Sequence, residues 1–262
     1  MGLLARLLGG DRPKAGVAKV GWFVLTDEAE FIWDAPRQSH REPQEARSVK
    51  SVLVCPAVID YEARLYEVAC PVDLHLRLAH DDKGQPVIVN AAGAASPVIP
   101  AKLKKLVALT PPSQWRDPQR PVVQVVTPYR LISDDLVYVN QMPIFQHYRA
   151  APLPGLLIGG RFPIDAWPRP LMWAFEWHEP KKDIVLKRGE PWFTLRFETA
   201  DPKAQVRLVE AELTPDLLRQ CKGVDSVTNY VNRTFSLFPV ARVRRPPTLL
   251  VERRTAQDPD RG

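Results

Sequence analysis

Proline is the residue that most restricts the fold of this chain. The 262 residues include 27 prolines, spread from Pro13 to Pro259, which is about twice the ~5% share of an average protein. Each proline removes a backbone donor and clashes inside a helix, so proline favours turns and the first residues of strands and helices. This disfavours an all-helical fold. The hydrophobic fraction of 45% and the charged fraction of 25% are ordinary for a globular protein and exclude a chain that is disordered throughout.

Alternation of apolar and polar residues predicts several short strands. The strictest case is the segment Val72–Leu78, in which every second residue is apolar, so His75 and Arg77 are expected to face away from the core. Similar segments, most of them bounded by Pro, Gly, Asn or Asp, predict strands at 20–25, 51–54, 86–89, 122–126, 136–139, 156–158, 171–178, 192–198 and 206–210. We therefore expect a mainly β fold, a jelly-roll or double-stranded β-helix-like sandwich, in a single domain over residues 17–240.

Two helices are expected to pack on this sheet near the C-terminus. Thr214, Pro215 and Asp216 form a typical helix start, and Gly223 is a natural stop. The second helix is predicted from Val224 to Phe238, where apolar residues recur at helical spacing. A weaker helical pattern covers residues 101–109. Outside these elements we expect a flexible N-terminal segment at 1–16, a surface loop at 34–50 and a basic C-terminal tail at 241–262.

The net charge of +6 is unevenly distributed. Six arginines and three acidic residues fall within the last 22 residues, so half of the excess charge lies there. The rest of the chain has no aromatic and basic signature of an RNA-binding domain. We therefore expect a solubilising tail and do not favour a nucleic acid as the partner.

The three cysteines, Cys55, Cys70 and Cys221, are widely spaced and include no Cys-x-x-Cys pair, which is typical of a reduced, cytoplasmic protein. No apolar run approaches the roughly 18 residues of a membrane span. Nucleotide-binding, serine-hydrolase and zinc-protease motifs are also missing from the sequence. The sequence does not predict the oligomeric state.

One candidate metal site lies in the segment 171–178. On a strand, Glu176 and His178 lie two residues apart and therefore point to the same side, while the large apolar side chains point to the other. With His147 as a third ligand, they would form the two-histidine, one-carboxylate site that binds Fe(II) in non-haem oxygenases. The competing and favoured interpretation is a polar edge of the sheet without a metal.

A candidate ligand site rests on the aromatic residues of the same region. Four of the seven tryptophans, Trp167, Trp173, Trp177 and Trp192, fall within 26 residues. Trp173, Trp177 and Trp192 could stack on a sugar or another ring, with Arg161 or Arg188 binding a carboxylate through two hydrogen bonds. The favoured alternative is that these rings fill the core of the sandwich.

The middle half of the chain resembles an uncharacterised family of bacterial and phage proteins. The resemblance rests on Pro128-Tyr129, Asn140-Gln141-Met142-Pro143, Trp173-x-Phe175-x-Trp177 and Arg188-Gly189-Glu190-Pro191. It implies no catalytic residue. The Gly-Glu-Pro turn is also similar to turns of cupin-like jelly rolls, although the His-x-His pair of cupins is missing here.

Three functional classes follow from these observations, and the least favoured of them is nucleic-acid contact through the arginine-rich tail. The first is a binding or assembly module that recognises a small molecule, a sugar or a protein through an aromatic-rich sheet face. The second is a non-haem iron oxygenase-like enzyme with Fe(II) at His147, Glu176 and His178.

Overall fold

The computed structural model describes residues 16–25, 31–39, 48, 50–144, 152–225, 227 and 233–254. These residues form fifteen strands and four α-helices, so the prediction of a mainly β fold is confirmed. The strands are β1 Val17–Val24, β2 Arg37–Gln38, β3 Leu65–Ala69, β4 Leu74–His80, β5 Pro86–Asn90, β6 Val107–Leu109, β7 Val122–Val126, β8 Tyr129–Ile132, β9 Val137–Met142, β10 Gly155–Leu157, β11 Gly160–Pro163, β12 Met172–Trp177, β13 Ile184–Leu186, β14 Pro191–Thr199 and β15 Gln205–Glu210. The helices are α1 Pro56–Glu62, α2 Pro100–Leu106, α3 Pro215–Asp225 and α4 Phe238–Arg244.

The described strands form four sheets, in the orders β15-β1-β8, β10-β12-β7-β6, β11-β9-β14-β3-β2 and β13-β4-β5. The pair β1 and β15 is parallel, and the other strand pairs among the described residues are antiparallel. A jelly roll consists of eight antiparallel strands in two sheets. The predicted jelly-roll topology is therefore not confirmed, and the described strands close no barrel.

One hydrophobic core joins the four sheets. It includes Val20, Val68, Leu76 and Trp173, each from a different sheet. In β4 the alternation has the predicted effect, because Leu74 and Leu76 are buried while His75 and Arg77 lie outside and bind Asp183. Burial of the apolar side of each strand against the other sheets is the main stabilising contribution.

The prolines lie where their chemistry allows. The helices α1 and α2 begin at Pro56 and Pro100, and α3 begins at Pro215, since the first helical residue needs no backbone donor. The strands β5 and β14 begin at Pro86 and Pro191.

The helix α3 covers the outer side of the sheet β15-β1-β8. Thr214 Oγ1 accepts a hydrogen bond from the Leu217 backbone at 3.2 Å, as the predicted helix start requires. Leu217 and Cys221 pack against Phe23 and Ile132 in a second, smaller cluster. The helix continues to Asp225, beyond the predicted stop. The second predicted helix lies partly outside the described residues, but α4 places Phe238 in the main core.

Two local predictions are wrong. Residues 52–54, predicted as part of a strand, form a 3-10 turn because Ser51 Oγ caps it and Pro56 then begins α1. The helix predicted at 101–109 ends at Leu106, and Val107–Leu109 instead pair with β7. Val107 is buried in this pairing, and a β-branched side chain packs well on a strand.

Part of the predicted basic tail, residues 241–254, lies within the described residues. Residues 241–254 lie on the domain, where Arg242 binds Asp165 and Arg253 binds Glu210. The segments 1–15 and 255–262, and most of the predicted loop at 34–50, lie outside the described residues, although Arg37–Gln38 pair with β3. No helix in the described ranges is long and apolar enough to cross a membrane.

Candidate functional site

The predicted stacking residues lie in the core. Trp173, Trp177 and Trp192 are 1%, 0% and 2% exposed. The ring of Trp173 stacks on Phe175, with centroids 4.9 Å apart, and Trp177 Nε1 donates to the Lys182 carbonyl at 2.9 Å. These three rings are covered by protein on the inner side of their strands, so they present no face to a ligand.

The side chains of Glu176, in β12, and His178, the first residue after β12, lie next to each other, as the strand alternation predicts. His178 Nε2 lies 3.1 Å from Glu176 Oε1. The Glu176 side chain is only 5% exposed and also accepts a hydrogen bond from Arg116 Nε at 2.8 Å. Arg120 Nη1 lies 3.7 Å from the same carboxylate. Burial raises the pKa of Glu176, but the hydrogen bonds and charges of Arg116 and His178 outweigh it and hold the pKa below its ordinary value.

This environment does not fit a metal ligand. Two guanidinium groups already neutralise the carboxylate of Glu176 and would repel a divalent cation there. His147, the third predicted ligand, lies outside the described residues. Within the described part of the chain, no three His, Cys, Asp or Glu side chains are grouped so that they could hold a metal ion.

The Arg161 side chain, in β11, binds other residues of the chain. Its Nε donates to Glu198 at 2.8 Å, and its guanidinium lies 3.7 Å above the ring of Tyr138. The hydrogen bond from Arg161 is the main reason why the pKa of Glu198 is lowered. The predicted carboxylate partner of Arg161 is therefore supplied by the protein itself.

Arg188 borders a cavity. The turn between β13 and β14 has Gly189 at a φ of 80°, as its sequence predicts, and the Arg188 backbone donates to Asp73 Oδ1 at 2.7 Å. With Phe31 and Ile32, Arg188 lines a space of about 400 Å³. Arg188, one of the five predicted ligand-binding residues, thus lies at a cavity together with aromatic and apolar side chains.

A larger cavity shares the lining residue Phe31 with it. Its volume is about 600 Å³, and its lining includes Trp22, Phe31 and Trp33. These three rings are partly exposed while they also pack against the main core. We call this space the aromatic cavity.

The rings of the aromatic cavity support one another. The buried ring of Tyr129 contacts Trp22 at a centroid distance of 6.4 Å and Trp33 at 5.4 Å, and Phe31 contacts Trp33 at 5.9 Å. The Tyr129 hydroxyl donates to the Asp34 carbonyl. Burial raises the pKa of Tyr129, so the phenol stays protonated and remains a donor. The segment 31–34 is therefore fixed to the sheet.

Polar groups lie on the rim of the aromatic cavity. Glu210, Glu212 and Arg253 line it, and Arg253 Nη1 donates to Glu210 at 2.6 Å. Trp33 Nε1 is buried and has no hydrogen-bond partner among the described residues. A buried N–H without an acceptor costs about 1–3 kcal/mol, but this atom has almost no accessible surface, so a ligand in the cavity does not contact it.

Sequence reasoning missed this site because its two halves are far apart in the chain. Trp22 lies opposite Glu210 only because β1 and β15 pair in parallel. One local feature could have indicated the site. Phe31 and Trp33 are aromatic residues that lie outside every predicted strand, just before the predicted loop.

Comparison of the sequence with known proteins does not assign the chain to a family. No protein-family profile matches the chain, and no curated protein matches it either. The resemblance to the bacterial and phage family therefore stays a prediction, and the function has to be argued from the geometry.

Proposed function

We propose that the protein is a binding module that takes the apolar or aromatic part of a small organic molecule into the aromatic cavity. The observation that carries this proposal is the ring of partly exposed side chains, Trp22, Phe31 and Trp33, around a space of about 600 Å³. Ligand sites in proteins typically enclose about 300–1,000 Å³ and combine mostly apolar walls with a few polar groups. Glu210, Glu212 and Arg253 supply the polar groups.

The fixed position of the rings supports this proposal. Trp33 packs edge-on against the buried Tyr129, and Tyr129 also holds the backbone at Asp34. Side chains that are already ordered lose little conformational entropy when a ligand binds, so more of the contact energy contributes to affinity.

The alternative, a non-haem iron oxygenase, receives no comparable support. Its carboxylate, Glu176, is bound by Arg116 and lies close to Arg120. A binding function at the aromatic cavity leaves the contacts between Glu176 and the two arginines intact, whereas metal binding by Glu176 would have to break them.

The proposal can be tested by closing the cavity from its rim. Leu213 lines the cavity and is 44% exposed, so Leu213→Trp adds bulk there without disturbing the core. Leu218, on α3, is 37% exposed and does not line the cavity, so Leu218→Trp is the matched control. The measurement is ligand-observed NMR with a panel of monosaccharides, aromatic carboxylic acids and organic ammonium ions, followed by calorimetry on the molecules that bind.

We expect at least one class in the panel to bind, and Leu213→Trp to weaken that binding by roughly tenfold or more, about 1.4 kcal/mol. Leu218→Trp should leave it unchanged. Failure of all three classes to bind, or equal affinities in both variants, would contradict the proposal.

A further inference from the structure

The rim of the aromatic cavity carries an excess of negative charge. Glu210 and Glu212 contribute two carboxylates, and Arg253 contributes one guanidinium. Arg253 is bound to Glu210 at 2.6 Å. The Glu212 carboxylate has no ion-pair or hydrogen-bond partner within the described part of the chain. The chain as a whole has a net charge of +6, so this local negative charge is not a general property of its surface.

The aromatic walls of the cavity, like its carboxylates, favour a positively charged ligand. The face of an aromatic ring carries partial negative charge and attracts a cation within about 6 Å of its centroid, most strongly for tryptophan. Two of the three partly exposed rings are tryptophans, Trp22 and Trp33. The buried Tyr129 separates them, with ring centroids 6.4 and 5.4 Å from theirs.

From these two features we infer that the molecule bound in the aromatic cavity carries an organic ammonium group. This inference rests on the proposed binding function and names its ligand class. The ammonium group lies against the tryptophan faces, and Glu212 balances its charge. An anionic ligand would be repelled by the carboxylate of Glu212.

A pair of probes that differ only in charge tests the inference. Choline carries a trimethylammonium group, and 3,3-dimethylbutan-1-ol has the same shape with a neutral carbon in place of the nitrogen. Both are titrated into the full chain by calorimetry at low salt, together with Glu212→Gln. The control is Glu179→Gln, because Glu179 is an exposed glutamate that does not line the cavity.

We expect choline to bind several-fold more tightly than the alcohol, because the faces of partly exposed aromatic rings attract a cation. Glu212→Gln should weaken choline binding several-fold and leave the alcohol unchanged, while Glu179→Gln should affect neither.

Other outcomes separate the two proposals. Equal affinity for the two probes would overturn the ammonium inference and leave the binding function standing. The same conclusion follows if choline fails to bind while a sugar or an aromatic acid binds in a manner that Leu213→Trp abolishes. Absence of binding by every probe would overturn both.

Discussion

Asp183 lies between two basic side chains of β4. Arg77 donates to its two oxygens at 2.9 and 2.7 Å, and His75 Nε2 lies 2.7 Å from Oδ2. The hydrogen bond from Arg77 is the largest effect, and it lowers the pKa of Asp183 from 3.8 to about 2, although burial opposes the shift. A lowered pKa stabilises the folded state above the unfolded value, and this stability is lost as the pH falls from about 4 towards 2.

We therefore expect Asp183→Asn to be less stable than the wild type by about 1 kcal/mol near neutral pH, a value reduced by partial exposure of the site. Most of this difference should disappear by about pH 2, where the wild-type carboxyl also protonates. Urea unfolding at several pH values measures the difference in the free energy of unfolding between the two proteins. Asp82→Asn, at an exposed carboxylate in the turn after β4, is the control and should change little. A difference that does not depend on pH would show that the charge of Asp183 is not its cause.

Among the elements, the turn between β13 and β14 depends on one glycine. Gly189 has a φ of 80°, and a Cβ added there would meet no atom within 4 Å. Gly189→Ala should therefore lower the free energy of unfolding by about 1–2 kcal/mol through backbone strain alone. Gly160 in β11 has equally open space without a positive φ, so Gly160→Ala should be close to neutral. Equal losses in thermal or urea unfolding would mean that the strain argument is wrong.

The same turn shows what the sequence can predict at the scale of elements. Local chemistry determines the turn at Gly189, the cap at Thr214 and the alternation of β4, and each of these agrees with the structure. Pairing between distant strands is not local. Trp22 and Trp173 both lie in strand-like segments, yet Trp173 is buried and Trp22 lines a cavity. Their exposure depends on which strands pack against them, and a single sequence does not contain that information.

At the scale of the whole molecule, the segment 245–253 packs on the sheet β15-β1-β8. Asp134 Oδ1 accepts from the Leu249 backbone at 2.8 Å, and the Glu212 backbone donates to the Val251 carbonyl at 2.8 Å. Gly21 leaves room for this segment, because a Cβ there would lie 2.3 Å from the Leu250 side chain. The segment also supplies Arg253 to the rim of the aromatic cavity.

Leu249 is the residue that anchors this segment, since it is 1% exposed and packs with Phe23 and Leu217. We expect Leu249→Ala to lower the free energy of unfolding by about 2–5 kcal/mol, the usual range for a buried leucine. Val251 is 40% exposed, so Val251→Ala should cost less than about 1 kcal/mol. Urea unfolding followed by tryptophan fluorescence compares them. Equal stability of the two variants would instead place the segment 245–253 outside the cooperative fold.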